Sequence, residues 1–158
     1  MAVILVGMAD LNIARSPDSL TTLGLGSCVG VALFDKSRQI GGLAHIMLPT
    51  SRGFGGDNRA KFADTAIIDL INKMIQIGAN KSMLAAKLAG GAHMFGGSAS
   101  NVLMVGDRNI TACTDILNYL KIPIQANDTG GSYGRTIELF AETGILKIRT
   151  VGAGEKFI

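Results

Sequence analysis

The chain has 158 residues, the size of one domain with a single substantial hydrophobic core. Apolar residues make up 47% and charged residues 17%, which argues against intrinsic disorder. The formal net charge is +3, and the basic residues are scattered and not interleaved with aromatics, so a nucleic-acid-binding role is disfavoured. A mild attraction to an acidic protein partner is compatible with this charge.

The segment Met1 to Met8 is too short to cross a bilayer and has no basic residue ahead of its apolar run. It reads as a buried strand and not as a signal peptide. Leu11 to Ala14 and Leu20 to Leu25 are short apolar runs separated by the turn signal Ser16-Pro17-Asp18. Val29, Val31 and Leu33 alternate with smaller residues, and Ile40 to Leu48 is a second apolar run, so the two predict a β-hairpin around Asp35-Lys36-Ser37-Arg38. Gly53 to Asn58 reads as a loop, with Asp57 or Asn58 able to cap the following helix. That helix places Phe62, Ala66, Ile67, Leu70, Ile71 and Met74 at helical spacing and ends at Gly78.

A strand over Met83 to Leu88 leads into the glycine-rich stretch Gly90 to Gly97. A second helix is predicted over Asn109 to Leu120, with Ile110, Cys113, Leu117 and Leu120 on one face. A strand over Ile122 to Ala126, a glycine-rich loop from Asp128 to Arg135, and a hairpin of Thr136 to Phe140 with Leu146 to Val151 complete the chain. Runs of strands with two inserted helices predict an α+β layered sandwich, favoured over a Rossmann-type alternation. No repeat or linker divides residues 1–158, which are expected to form one domain. Two cysteines without metal-type pairing, in a chain lacking an export signal, predict free thiols in a reducing cytoplasm.

Cys28 follows Gly24-Leu25-Gly26-Ser27, where glycines allow a sharp turn. A thiolate is a strong nucleophile but needs a neighbouring base to form near neutral pH. If Lys36 and Ser37 are the two turn residues, Asp35 pairs with Arg38 and Cys28 falls directly opposite His45. Opposed residues share a sheet face with β-carbons roughly 4.5–5.5 Å apart. A one-residue slip would separate them onto opposite faces. The competing reading is structural: a cysteine among apolar residues as a small buried hydrophobe, and a histidine that satisfies a core hydrogen bond. Cys113, at helical spacing among apolar residues, reads as structural, and His93 is given no role. A zinc set of Cys28, His45, His93 and Cys113 lacks any close-spaced pair. Gly24 to Gly30 has neither the glycine spacing nor the following helix of a nucleotide loop.

Several blocks in order along the chain resemble the CheD family, chemoreceptor glutamine deamidases of bacterial chemotaxis. They are Thr22-Leu23-Gly24-Leu25-Gly26-Ser27-Cys28, Ala44-His45-Ile46-Met47-Leu48-Pro49, Lys61-Phe62-Ala63-Asp64-Thr65-Ala66, Ala89-Gly90-Gly91-Ala92, Asp128-Thr129-Gly130-Gly131 and Val151-Gly152-Ala153-Gly154-Glu155. The resemblance implies a three-layer α/β/β sandwich shared with bacterial toxin deamidases, and a site of Cys28 as nucleophile, His45 as base and Thr22 as third member. Thr21 stands beside Thr22 as an alternative hydroxyl. Thr22 shares the parity of Cys28 if the segment stays extended. The implied reaction converts receptor glutamine to glutamate through a cysteine thioester, releasing ammonia, with no metal or organic cofactor. The implied partners are methyl-accepting chemoreceptors and the CheC phosphatase. A different class of function, a non-catalytic regulatory binding module for the same partners, fits the glycine-rich loops and mild charge equally well. A metal-dependent hydrolase is the third reading.

Overall fold

A computed structural model describes residues 1–52, 58–94 and 104–158. Of the loop expected over Gly53 to Asn58, residues 53–57 lie outside these residues, as does the glycine-rich stretch from Phe95 onward.

Ten strands and two helices follow in chain order: β1 (Val3–Leu5), β2 (Leu11–Arg15), β3 (Ser19–Leu25), β4 (Val29–Asp35), β5 (Ile40–Ile46), α1 (Ala63–Gln76), β6 (Ala85–Gly90), α2 (Val105–Tyr119), β7 (Ile124–Thr129), β8 (Arg135–Phe140), β9 (Leu146–Thr150) and β10 (Gly154–Phe157). They form two five-stranded sheets. The first runs β1-β3-β8-β9-β10 and the second β2-β5-β4-β6-β7. Both helices pack on one face of the second sheet, and the first sheet covers its other face. The architecture is therefore the expected three-layer α/β/β sandwich.

Burial explains why the sequence reads as it does. Every residue of β4, β5 and β6 is buried, because the second sheet is covered on both faces. Strand β8 instead alternates buried and half-buried positions, since the first sheet is covered on one face only. Gly41 and Gly42 mark the layer spacing on β5. A β-carbon at Gly42 would lie 2.7 Å from Met74 Sδ of α1, and one at Gly41 would lie 3.1 Å from Leu139 Cδ2 of the first sheet.

Four expectations need correction. The N-terminal strand is not buried. β1 is an exposed edge strand paired in parallel with β3, and Val3 and Leu5 face solvent because no third layer covers that side. The second helix starts at Val105, before Asn109, and its buried face is Gly106, Asn109, Cys113 and Leu117. Asn58 caps a short 3-10 turn over Arg59–Lys61 and not α1, its side chain accepting from the Ala60 N–H. The β4–β5 hairpin has a four-residue turn, Lys36 to Gln39, with Asp35 paired to Ile40. Gln39 adopts a left-handed backbone at φ 54°. β10 was not foreseen. Among the described residues no helix is long and apolar enough to cross a membrane.

Candidate active site

Widening the turn by two residues moves the hairpin register by two, so His45 pairs with Gly30 and not with Cys28. A shift of two preserves the side-chain face where a shift of one would reverse it. Ala32 and Phe34 of β4 and Leu43 of β5 point into the core between the sheets, and Cys28 belongs to the same cluster. His45 shares the parity of Leu43 and is 0% exposed, while Cys28 is 8% exposed at the end of the layer. The cysteine and histidine thus both face the core between the sheets, and not as an opposed pair. Gly30, between them in the ladder, carries no side chain where a β-carbon would meet Ile137 Cδ1 at 2.5 Å.

Thr22 comes from the facing sheet. Its Oγ1 lies 2.7 Å from His45 Nδ1 and 2.7 Å from the Val6 carbonyl oxygen. A hydroxyl has one proton and the carbonyl can only accept, so Thr22 donates to Val6 and must accept from Nδ1–H. The neutral imidazole then has a bare Nε2. That atom is buried and has no protein hydrogen-bond partner. Thr21 points elsewhere, donating to the Ile137 carbonyl at 2.7 Å and lining a groove on the outer face of the first sheet with Leu23, Lys147 and Arg149. Parity along the chain does not reach from Thr22 to Cys28, because β3 shifts register between Thr22 and Leu25, where Gly24 has φ +68°. The hydrogen bonds separate the two threonines, not the parity.

The Cys28 segment is held by the residues after β6. Gly91 N–H donates to the Cys28 carbonyl and Ala92 N–H to that of Gly26, each at 2.8 Å. Gly90, at φ +109°, would place a β-carbon 2.3 Å from the Cys28 carbonyl oxygen, so only glycine allows this approach. Burial pushes the Cys28 thiol above its ordinary value of 9.0, partly opposed by a hydrogen bond from its own backbone N–H. Burial also pushes the His45 imidazole below its ordinary 6.5. Both effects favour a neutral thiol beside a neutral imidazole over a resting thiolate–imidazolium pair.

Sequence reasoning missed two buried polar side chains here. Asn109 of α2 donates to the carbonyls of Ser27, at 2.9 Å, and Met47, at 3.0 Å. Arg135 of β8 crosses to the second sheet, reaching Asp128 at 3.2 Å and the Gly90 carbonyl at 3.4 Å. The available signal for Asn109 was an amide within the apolar stripe of a helix. For Arg135 it was a cation on the inward parity of a half-buried strand.

The remaining candidates do not join the site. Cys113 lies in the core between the second sheet and the helices, its thiol pushed up to about 12 by burial. His93 Nε2 is 3.0 Å from Asp107 Oδ1 at the start of α2. The four-residue zinc set is therefore not assembled, and among the described residues no three metal-binding side chains gather.

The fold and these contacts define a class: an α/β/β sandwich holding a cysteine and a threonine-bonded histidine between its sheets. The model of the CheD family, described as CheD chemotactic sensory transduction, matches residues 47–150. The chemoreceptor glutamine deamidase CheD of Bacillus subtilis is 51% identical over 159 residues, covering 99% of this chain and 96% of that one. Its counterpart from Halalkalibacterium halodurans is 52% identical over 160 residues, covering 99% and 98%. A probable chemoreceptor glutamine deamidase CheD from Lachnoclostridium phytofermentans is 51% identical, covering 98% of each chain. The chain belongs to the CheD family. Among solved structures, a Neisseria meningitidis protein, NMB0706, is similar with TM-score 0.48 and 11% identity, covering 84% of this chain and 63% of that one.

Proposed function

We propose that this protein is a chemoreceptor glutamine deamidase with Cys28 as nucleophile, His45 as general base and acid, and Thr22 as the residue that orients the imidazole. The observation that carries this reading is the bare, buried Nε2 of His45, with Nδ1 held 2.7 Å from Thr22, on the same inter-sheet face as Cys28. An imidazole fixed in that tautomer has one free lone pair, and the cysteine is the nearby group whose chemistry needs it. Near-full-length identity to proteins named for this activity supports the substrate class.

The steps follow from the groups present. Nε2 takes the thiol proton as Sγ attacks the glutamine Cδ, and the oxyanion is met by backbone N–H groups at Ser27 and Cys28. Collapse of the tetrahedral intermediate expels ammonia, protonated by His45, and leaves a thioester. Water, deprotonated by His45, attacks the thioester and frees glutamate and the thiol. The balance is one glutamine amide and one water converted to one carboxylate and one ammonium ion. The resting neutral pair sets the order, because the thiol is ionised only as the substrate arrives.

The substrate is the side-chain amide of selected glutamines on the helical cytoplasmic part of methyl-accepting chemoreceptors, which places the protein in the cytoplasm. CheC is proposed as a binding partner on the family resemblance. Mass spectrometry of a receptor fragment incubated with each variant tests the assignment. Cys28→Ala is expected to lower the rate of conversion by at least about 10³-fold, the scale of losing a covalent nucleophile. Cys113→Ala is expected to convert at close to the wild-type rate. Full conversion by Cys28→Ala would refute the mechanism, and rescue of signalling by an inactive protein that still binds CheC would make binding the principal role.

A further inference from the structure

The β4–β5 ladder stops at Val29 paired with Ile46. Continued in the same register, the next pair would be Cys28 with Met47, but the chain leaves the ladder there as it turns into the Gly26-Ser27-Cys28 segment. Asn109 stands at this opening. One amide nitrogen of its side chain donates across it to the Ser27 carbonyl, at 2.9 Å, and to the Met47 carbonyl, at 3.0 Å. The first carbonyl precedes the cysteine and the second lies two residues past the histidine. α2 can come this close because its Gly106 packs on the Gly91 and Ala92 carbonyls, where a β-carbon would lie 2.6 Å from Gly91 O.

Asn109 is fully buried, and its Oδ1 has no partner. A buried acceptor without a partner destabilises a fold, and an apolar residue on this helix face would avoid that cost. The side chain is oriented for its donors, and both donors serve the strand ends that hold Cys28 and His45.

We propose that Asn109 is a positioning residue for the deamidation, an amide clamp that fixes the Cys28 segment against the end of the histidine strand. This rests on the reading of Cys28 and His45 given above. Without the clamp the two strand ends are free to part, and Cys28 and His45 are no longer carried on one fixed frame when the substrate arrives. Small displacements of reacting groups cost rate far more than they cost stability.

The test uses the full chain and a receptor fragment, with Asn109→Ala, Asn109→Asp and the control Leu117→Ala. Leu117 lies further along the same buried face of α2 and, being apolar, donates to neither carbonyl, so its truncation lowers stability without removing the clamp. Asn109→Asp keeps the shape and sets an oxygen against two carbonyls. Both Asn109 variants are expected to lower kcat by about tenfold or more with KM within about twofold, the scale of losing the two hydrogen bonds that hold the site's frame. Alkylation of Cys28 by iodoacetamide, followed by peptide mapping, is expected to change its pH profile in these variants and not in Leu117→Ala. Equal kcat losses in all three, with unchanged alkylation profiles, would overturn the clamp. If the Asn109 variants do not fold, wild-type NMR decides. The Asn109 side-chain amide protons are expected to be protected from exchange and to shift when Cys28 is alkylated, and rapid exchange with no shift overturns the proposal. A Cys28→Ala protein that retained activity would sink the nucleophile assignment instead, and the alkylation and NMR readouts would still report on the clamp.

Discussion

At His45, burial and the Thr22 hydrogen bond act on one proton balance. Burial holds the imidazole below 6.5 in the folded protein, so Nε2 stays a free base at pH values where an exposed histidine is half protonated. The acid limb of kcat/KM is therefore expected below pH 6.5, with rate lost as pH falls through it. Stability has the same sign. The unfolded histidine takes up a proton from about pH 6.5 downward and the folded one only at lower pH, so acid favours unfolding there and the contribution is intact at higher pH. A measured acid limb above 6.5 would mean that an ion pair raises the imidazole. In the same assay Thr22→Val should lower kcat/KM by about 10- to 100-fold, from an orphaned Nδ1–H costing about 1–3 kcal/mol.

The elements show which parts of this site the sequence could carry. Turn signals and apolar runs located most strands, and helical spacing located α1, because burial on one or both faces writes itself into those patterns. The hairpin register was not legible. It depends on Gln39 taking a left-handed backbone, which no glycine announces, and on Asp35 organising a wide turn. The Asp35 carboxylate accepts from Ser37 Oγ at 2.6 Å, from Arg38 N–H at 3.2 Å and from Asn80 N–H at 2.9 Å. Burial pushes this carboxyl up, but those donors outweigh it and hold it below its ordinary range. The two-residue offset keeps His45 on the inter-sheet face, and Cys28, just beyond the ladder, packs into the same core. Asn109 and Arg135 show in the sequence only as polar residues at inward positions, because the carbonyls they reach, of Ser27, Met47 and Gly90, have no sequence signature. Gly90 carries the clearest consequence at this scale. Gly90→Ala meets a 2.3 Å contact with the Cys28 carbonyl and a φ of +109°. It should destabilise the protein by about 1–3 kcal/mol and displace the cysteine. Thermal melts and the deamidation rate should fall together, and an active, stable Gly90→Ala protein would show that the segment relaxes freely.

Across the whole molecule, two buried cations tie the sheets together in opposite directions. Lys87 of the second sheet sends Nζ across the core to the Gly144 carbonyl at 2.8 Å and the Ile158 carbonyl at 2.9 Å, passing 5.0 Å from the centroid of the Phe34 ring. Arg135 of the first sheet reaches back to Asp128 and to Gly90. The two differ in what lies beyond their contacts. Lys87 meets the turn before β9 and the end of the chain, away from Cys28, whereas Arg135 grips the carbonyl of the glycine that packs on Cys28. Lys87→Met should cost about 1–3 kcal/mol through two unsatisfied carbonyls, lowering the melting temperature and leaving kcat near wild type. Arg135→Met removes a fully buried guanidinium and leaves Asp128 with Lys156 as its remaining ion-pair partner, at 3.0 Å. It should cost about 3 kcal/mol and also lower kcat, because Gly90 and with it the Cys28 carbonyl lose their support. Melting temperature and kcat measured side by side on the two variants separate a cation that only joins the layers from one that also sets the site. If both variants lost stability and kept kcat, the site would be fixed by the second sheet and α2 alone.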